Sequence, residues 1–226
     1  MLTLKNLQEQ HKEWQEKNFG ASPSWHALLG IQEEVGELSY AHLECEHKIP
    51  TIEKIDAVGD VIIYLTAYCN LEGIDLQQTV GELTREEQRK EYTSTPSWRL
   101  LLAVQKQVGK LSHAHLKSLQ GIRTNENHQT AKTDAIGDII IYLSFYCALE
   151  GINLQQAIEQ TWAEVSQRNW KTNQVNGKLP EAQNDDEARV SECLNCKKPF
   201  FKKKNSHKFC CYRCGNAYWV RLNRKE

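Results

Sequence analysis

The chain has 226 residues, of which 40% are hydrophobic and 25% are charged, and its formal net charge is −1. No stretch reaches the roughly 20 apolar residues that a membrane-spanning helix needs, and the polar, periodic N-terminus is unlike a signal peptide. We therefore expect a cytoplasmic protein that has no membrane partner. The charge is uneven: from Arg189 onward, 11 Lys and Arg stand against two acidic residues, so the tail carries +9 and the remainder −10. This asymmetry predicts two parts with different roles.

The first predicted element is a helix from about Thr3 to Phe19, which ends near Gly20. Two blocks that follow it occur twice in the chain. Residues 25–43 match residues 98–116 at 11 of 19 positions, and residues 56–78 match residues 134–156 at 17 of 23. The second copy is five residues longer between its blocks. Identity this high indicates an internal duplication, so we expect two modules of the same fold.

Each copy has helical periodicity. Ile31, Val35 and Leu38 recur at the spacing of one helix face, Gly73 is typical of a helix end, and Asp75 is typical of the start of another helix. We therefore expect an all-α fold, in which the two copies pack as a pseudo-dimer because each would be marginally stable alone. Homodimers of the whole chain remain an open alternative.

Repeats and composition together divide the chain into four segments. The two modules are predicted at residues 1–92 and 93–171. A polar, patternless stretch at 172–191 is typical of a linker. A cysteine-rich module follows at 192–226.

A cluster of carboxylates distinguishes the first copy. Glu33, Glu34 and Glu37 share one helix face, and Asp56 and Asp60 share a face of the next helix. If the two helices pack antiparallel, four or five acids converge, and their repulsion requires a dication or raised pKa values. Oxygen ligands favour Mg²⁺ or Mn²⁺, which substrate phosphates often complete. The alternative is an ordinary solvated acidic face.

The second copy keeps Asp134 and Asp138 but has Lys106, Gln107 and Lys110 in place of the three glutamates. Lysines and aspartates can neutralise one another without a metal ion. We therefore expect that the second copy does not bind Mg²⁺ and serves as a structural partner of the first.

The pair of motifs QEEVGEL and DAVGDVIIYL resembles the MazG-type nucleotide pyrophosphohydrolases, which belong to the all-α superfamily that includes dimeric dUTPases. The resemblance covers roughly residues 1–170. It implies that Glu34, Glu37 and Asp60 bind Mg²⁺. The family's third acid corresponds to Ala57, and Asp56, one residue earlier, is the expected substitute.

The resemblance also implies a reaction. A metal-activated water would attack the α-phosphorus of an NTP or dNTP and yield a monophosphate and pyrophosphate, with Glu33 or Glu34 as the general base. Such an enzyme would serve nucleotide-pool housekeeping, with base and sugar left open. Lys54, Trp25 and Arg168 are candidate substrate contacts. A surface lysine and a structural indole are the alternatives for the first two.

In the tail, Cys193, Cys196, Cys210 and Cys214 have the spacing of a closed zinc site, and the stretch resembles short bacterial zinc ribbons. Cys211 is an alternative to Cys210. Lysines and arginines interleaved with aromatic residues suit nucleic-acid phosphates and bases, although such ribbons also bind proteins. The rival to the enzyme is therefore a catalytically weak helical scaffold that presents the zinc ribbon to nucleic acid or a protein.

Overall fold

The computed structural model describes residues 1–45, 51–80, 95–177, 190–201, 208–209 and 214–215. These residues are mostly helical and belong to two compact units, Met1–Gln167 and Arg168–Glu226. The first unit contains helices α1 (Leu4–Phe19), α2 (Ser24–Glu44), α3 (Ile52–Glu72), α4 (Leu76–Thr79), α5 (Ser97–Gln120), α6 (His128–Glu150) and α7 (Leu154–Val165). The helical class predicted from the sequence is thus confirmed.

Helix ends lie where the capping residues predict them. The side chains of Thr3, Asp75 and Asn153 each accept a hydrogen bond from the backbone N–H three residues later, which begins α1, α4 and α7. Gly20 caps α1 at its C-terminus, and α3 ends at Gly73, which has the left-handed conformation with φ of 66°. A residue with a Cβ adopts this conformation at a cost, so glycine stops the helix there.

Both repeats contribute to one hydrophobic core. Helix α2 packs along α3 in the first repeat, and α5 packs along α6 in the second. Equivalent side chains are buried in the two copies: Val35 and Val108, Leu38 and Leu111, Ile62 and Ile140. Removing a side chain of this size from water stabilises the fold by about 1.5–3 kcal/mol, and the buried cluster continues across both repeats.

The helix that follows each repeat packs against the central helix of the other. At Gly59 on α3, a Cβ would overlap the side chain of Thr161 on α7. At the equivalent Gly137 on α6, a Cβ would overlap the backbone carbonyl of Thr79 on α4. The glycine of each DAxGD motif therefore permits a close crossing between elements of different repeats.

Buried and partly buried polar pairs also connect the repeats, and they occur as two sets of equivalent residues. The pairs are Lys54–Glu150 and Lys132–Glu72, which are ion pairs, and Tyr68–His115 and His42–Tyr146, which are within hydrogen-bond distance. The Nζ atom of Lys54 lies 2.6 Å from Oε2 of Glu150. Because an unpaired buried charge is costly, each pair favours one relative placement of the two repeats.

The second unit contains a short antiparallel hairpin of β1 (Val190–Glu192) and β2 (Pro199–Phe201), in which Val190 pairs with Phe201 and Glu192 with Pro199. The turn between them is closed by hydrogen bonds from the N–H of Cys193 to the carbonyl of Lys198 and from the N–H of Lys197 to the carbonyl of Cys193. Lys197 has a φ of 63°. This tight turn brings the first two cysteines of the tail onto one loop.

Within the described ranges, no single helix is long and apolar enough to cross a membrane. Helices α6 and α7 pass the same length and composition test only as a pair, and a bend of 107° separates them.

Candidate active site and metal centre

The five predicted carboxylates lie on the two packed helices of the first repeat. Glu33, Glu34 and Glu37 lie on α2, and Asp56 and Asp60 lie on the first half of α3. Glu34 and Asp60 are partly buried, whereas the other three are exposed. A partly buried pair surrounded by exposed acids leaves the cluster accessible from solvent.

Glu34 is the electrostatic centre of the cluster. Its pKa is raised to about 8, first by burial and then by the negative charges of Asp60, Glu37, Glu33 and Asp56. All five predicted acids therefore lie close enough to influence one titration. Without a cation, Glu34 holds a proton at neutral pH, and a nearby dication would favour its ionised form.

These carboxylates are near one another but are not drawn together as a finished ligand set. Among the described residues, the only group of three or more His, Cys, Asp or Glu with ligand atoms mutually within 4.8 Å is formed by cysteines. Side-chain rotation would be needed to gather the acids around an ion. The donor set, composed of carboxylate oxygens with uncompensated repulsion, fits Mg²⁺ or Mn²⁺ and does not favour zinc.

The shifted third acid has a clear structural context. Ala57, at the position of the family's acid, is 3% exposed and packs in the core. Asp56, one residue earlier, is exposed and contributes to the raised pKa of Glu34. The expectation that Asp56 replaces the missing acid stays a prediction, and its position is compatible with that role.

In the second repeat, lysines take the place of acids near the equivalent aspartate. Burial raises the pKa of Asp138, Lys110 lowers it, Asp134 raises it, and Lys106 lowers it. Lys106 and Lys110 therefore lie near the retained aspartates, where they offset the negative charge. This arrangement agrees with the expectation that the second copy needs no metal ion.

The same place in the second repeat contains a cavity of about 280 Å³. Its wall includes Gln107, Lys110, His113, His128, Asp134 and Asp138. Four of these residues, Gln107, Lys110, Asp134 and Asp138, are the counterparts of Glu34, Glu37, Asp56 and Asp60.

Lys54, a candidate phosphate contact, has another partner in the structure. Its side chain is fully buried and forms an ion pair with Glu150 of the second repeat. A buried ammonium that neutralises a buried carboxylate is not accessible to a phosphate. The geometry therefore favours a structural role, and we leave Lys54 out of the proposed substrate contacts.

Trp25 and Arg168 remain predictions. Trp25 is the second residue of α2 and is 46% exposed. Its ring lies edge-on to His26 with centroids 4.0 Å apart, and its counterpart Trp98 is 48% exposed. Neither indole is enclosed by the core, so a purely structural ring is not favoured at either position. Arg168 opens the second compact unit, near the turn at Gly177.

Three cysteines of the tail form a metal-ligand cluster. The Sγ atoms of Cys193, Cys196 and Cys214 all lie within 4.8 Å of one another. Sulfurs bound to one tetrahedral zinc ion are about 3.8 Å apart, so the three fit such a site. Cys210 and its alternative Cys211 lie outside the described residues, and the choice between them as fourth ligand stays open.

The other thiols have no such arrangement. Cys45, Cys69 and Cys147 are thiols outside any disulfide, and all three are buried in the first unit. Burial raises the pKa of both Cys69 and Cys147 to about 12, which disfavours the thiolate needed for metal binding or nucleophilic attack. The predicted division between tail ligands and buried thiols is consistent with these positions.

Comparisons with known proteins do not assign a family. No family model matches the chain, and neither the curated proteins nor the solved structures contain a match. The resemblance to the MazG-type enzymes therefore rests on the sequence motifs.

Sequence reasoning missed two groups of residues. Glu72 and Glu150, the ion-pair partners of the two lysines, recur in the repeated LEG sequence, and this recurrence was the available signal. His113 and His128 line the cavity of the second repeat. These histidines lie at positions that differ from the first copy, so the duplication gave no signal for them.

Proposed function

We propose that the first repeat is a magnesium-dependent nucleoside triphosphate pyrophosphohydrolase that produces a monophosphate and pyrophosphate. The observation that carries the proposal is the proximity of four other carboxylates, from α2 and α3, to Glu34. Several carboxylates close together are typical of a site that binds a divalent ion, and the bound ion can in turn bind phosphates. The motif resemblance supplies the reaction type.

Within this proposal, Glu34, Glu37, Asp56 and Asp60 hold the ion. Bound Mg²⁺ would neutralise phosphate charge and lower the pKa of a coordinated water. Exposed Glu33 lies beside this group and is available to orient the attacking water and accept its proton. Partly buried Glu34 could take the same role only if it is not fully engaged by the ion.

The proposed architecture gives the second repeat a supporting role. Reciprocal crossings at Gly59 and Gly137, together with the paired Lys54–Glu150 and Lys132–Glu72 contacts, support a pseudo-dimer made from one chain. The cysteine cluster supports a zinc ribbon in the tail. A cytoplasmic location belongs to the same proposal, because nucleoside triphosphates are used there.

The scaffold alternative draws its support from the same cysteine cluster and from the lysines of the second repeat. It predicts metal-dependent folding of the tail without hydrolysis by the helical unit. Most of the basic residues that would contact nucleic acid lie outside the described residues, so that partner stays a prediction.

Pyrophosphate release from a panel of NTPs and dNTPs, with Mg²⁺ and with EDTA, tests the enzyme. The double variant Glu34→Gln/Glu37→Gln should lose at least about a hundredfold of the activity, because both changes remove metal ligands. The matched control is Glu13→Gln/Glu16→Gln, which alters two exposed glutamates at the same spacing on α1. Equal activity of the two variants, or activity that persists in EDTA, contradicts the proposal, whereas an unmodified chain that releases no pyrophosphate from any substrate favours the scaffold.

A further inference from the structure

The second repeat contains a cavity at the position of the proposed metal site, where Gln107 and Lys110 replace two of the four acids and Asp134 and Asp138 are retained. It has a volume of about 280 Å³ and lies between α5 and α6. Glu126 and His128, which belong to the longer connection between the repeated blocks, form part of its wall. The extra residues of the second copy thus help to enclose a space where the first copy has its acids.

Two buried polar atoms of residues that line this wall have no hydrogen-bond partner. Gln107 is 3% exposed, and its Oε1 atom has no hydrogen bond. Nε2 of His128 lies 3.0 Å from the carbonyl of Ile122, to which it donates, and the buried Nδ1 of the same ring has no hydrogen-bond partner. A buried polar atom without a partner destabilises the fold, and a ligand that forms a hydrogen bond with it would remove this penalty.

The charged side chains that line the cavity restrict the chemical class of the ligand further. Glu126, Asp134 and Asp138 face the cavity together with Lys110. Because carboxylates outnumber ammonium groups there, a free phosphate is disfavoured and donor N–H groups are favoured. With lysines at two of the former glutamate positions, a metal ion is not required.

The rest of the wall suits a flat ring. Ala114, Ala131 and Ala135 contribute small apolar side chains to the cavity, which leave room for the face of a heterocycle. A glutamine amide recognises the edge of a nucleobase through hydrogen bonds. The volume is close to the lower end of small-molecule sites, which are about 300–1,000 Å³.

We propose that this cavity binds an amino-bearing nucleoside, such as cytidine or adenosine, without a metal ion. The exocyclic amino group donates to Oε1 of Gln107, and the ring lies against the alanines. The second repeat is then a nucleoside-binding module as well as a structural partner. This role does not depend on hydrolysis in the first repeat.

Calorimetric titration of the full chain in EDTA tests the proposal, since EDTA removes Mg²⁺-dependent binding. Cytidine or adenosine should bind with a stoichiometry of one. Uridine, which has a carbonyl where cytidine has the amino group, should bind at least about tenfold more weakly. Gln107→Leu should weaken cytidine binding at least tenfold, whereas Gln129→Leu, on the exposed side of α6, should not.

Ala131→Phe gives a second test, because this residue lines the cavity from an exposed position and the larger side chain would fill the space without entering the core. Binding should be lost while the thermal transition is kept. The proposal is overturned if cytidine and uridine bind equally, or if neither cytidine nor adenosine binds. It is also overturned if putrescine or cytidine monophosphate binds more tightly than cytidine, or if Gln107→Leu and Ala131→Phe both bind cytidine as tightly as the unmodified chain does. A failed pyrophosphate assay leaves these outcomes unchanged.

Discussion

Replacement of Lys54 by Met removes the positive partner of Glu150 from the contact between the repeats. The two side chains are 0% and 2% exposed, and their charged atoms lie 2.6 Å apart. The change leaves a buried carboxylate without its counter-charge, which typically costs about 3–5 kcal/mol. At about 2–4 °C for each kcal/mol in a domain of this size, we expect Tm to fall by about 6–20 °C.

Urea unfolding followed by circular dichroism measures this loss. The double variant Lys54→Met/Glu150→Leu should recover most of the stability, because an apolar pair of similar volume often replaces a buried ion pair without loss. Lys12→Met, an exposed change on α1, is the matched control. If Lys54→Met lowers the free energy of unfolding by less than about 1 kcal/mol, or if the double variant is no more stable than the single variant, the ion pair does not stabilise the contact between the repeats as argued.

Other predictions follow from the acids, the cysteines and the glycines. Because the pKa of metal-free Glu34 is about 8, Mg²⁺ binding at neutral pH should release close to one proton, and the affinity for Mg²⁺ should rise up to about tenfold per pH unit until pH 8. Calorimetry in buffers of different ionisation enthalpy measures the number of protons released, and binding that does not depend on pH contradicts the prediction. Cys193→Ser should abolish the single bound zinc found by metal analysis of the purified chain, and an unchanged zinc content refutes the site. Gly137→Ala should destabilise the fold by about 1–3 kcal/mol through overlap with Thr79, whereas Gly109→Ala, where a Cβ meets nothing within 4 Å, should stabilise it by up to about 1 kcal/mol in the same unfolding assay.

Much of the local structure could be predicted because it depends on residues close together in sequence. The side chain of Thr3 caps the helix that it precedes, and Gly73 ends α3 through its own backbone conformation. The repeated apolar positions likewise predict the two pairs of long helices. The acids of α2 and α3 could be grouped in advance because helical spacing and one antiparallel contact are enough to bring them together.

Contacts between the two repeats could not be predicted from the sequence in the same way. Lys54 is two residues from Asp56, which suggested a phosphate contact, but its partner Glu150 lies 96 residues away. The direction of a long side chain depends on which surface is packed against it, and that surface comes from the other repeat. The cavity beside Gln107 has the same origin, because a connection of altered length closes over substituted side chains.

The sequence by itself determined the helices, their ends, the duplication and the identity of the residues that differ between the copies, since these depend on local spacing and residue type. Only the tertiary structure decided which charges are buried together, that Glu34 is the acid with the strongly raised pKa, and that a cavity remains in the second repeat. Burial and charge proximity are properties of packing between distant segments, and they fix the free energy of ionisation only once those segments have met.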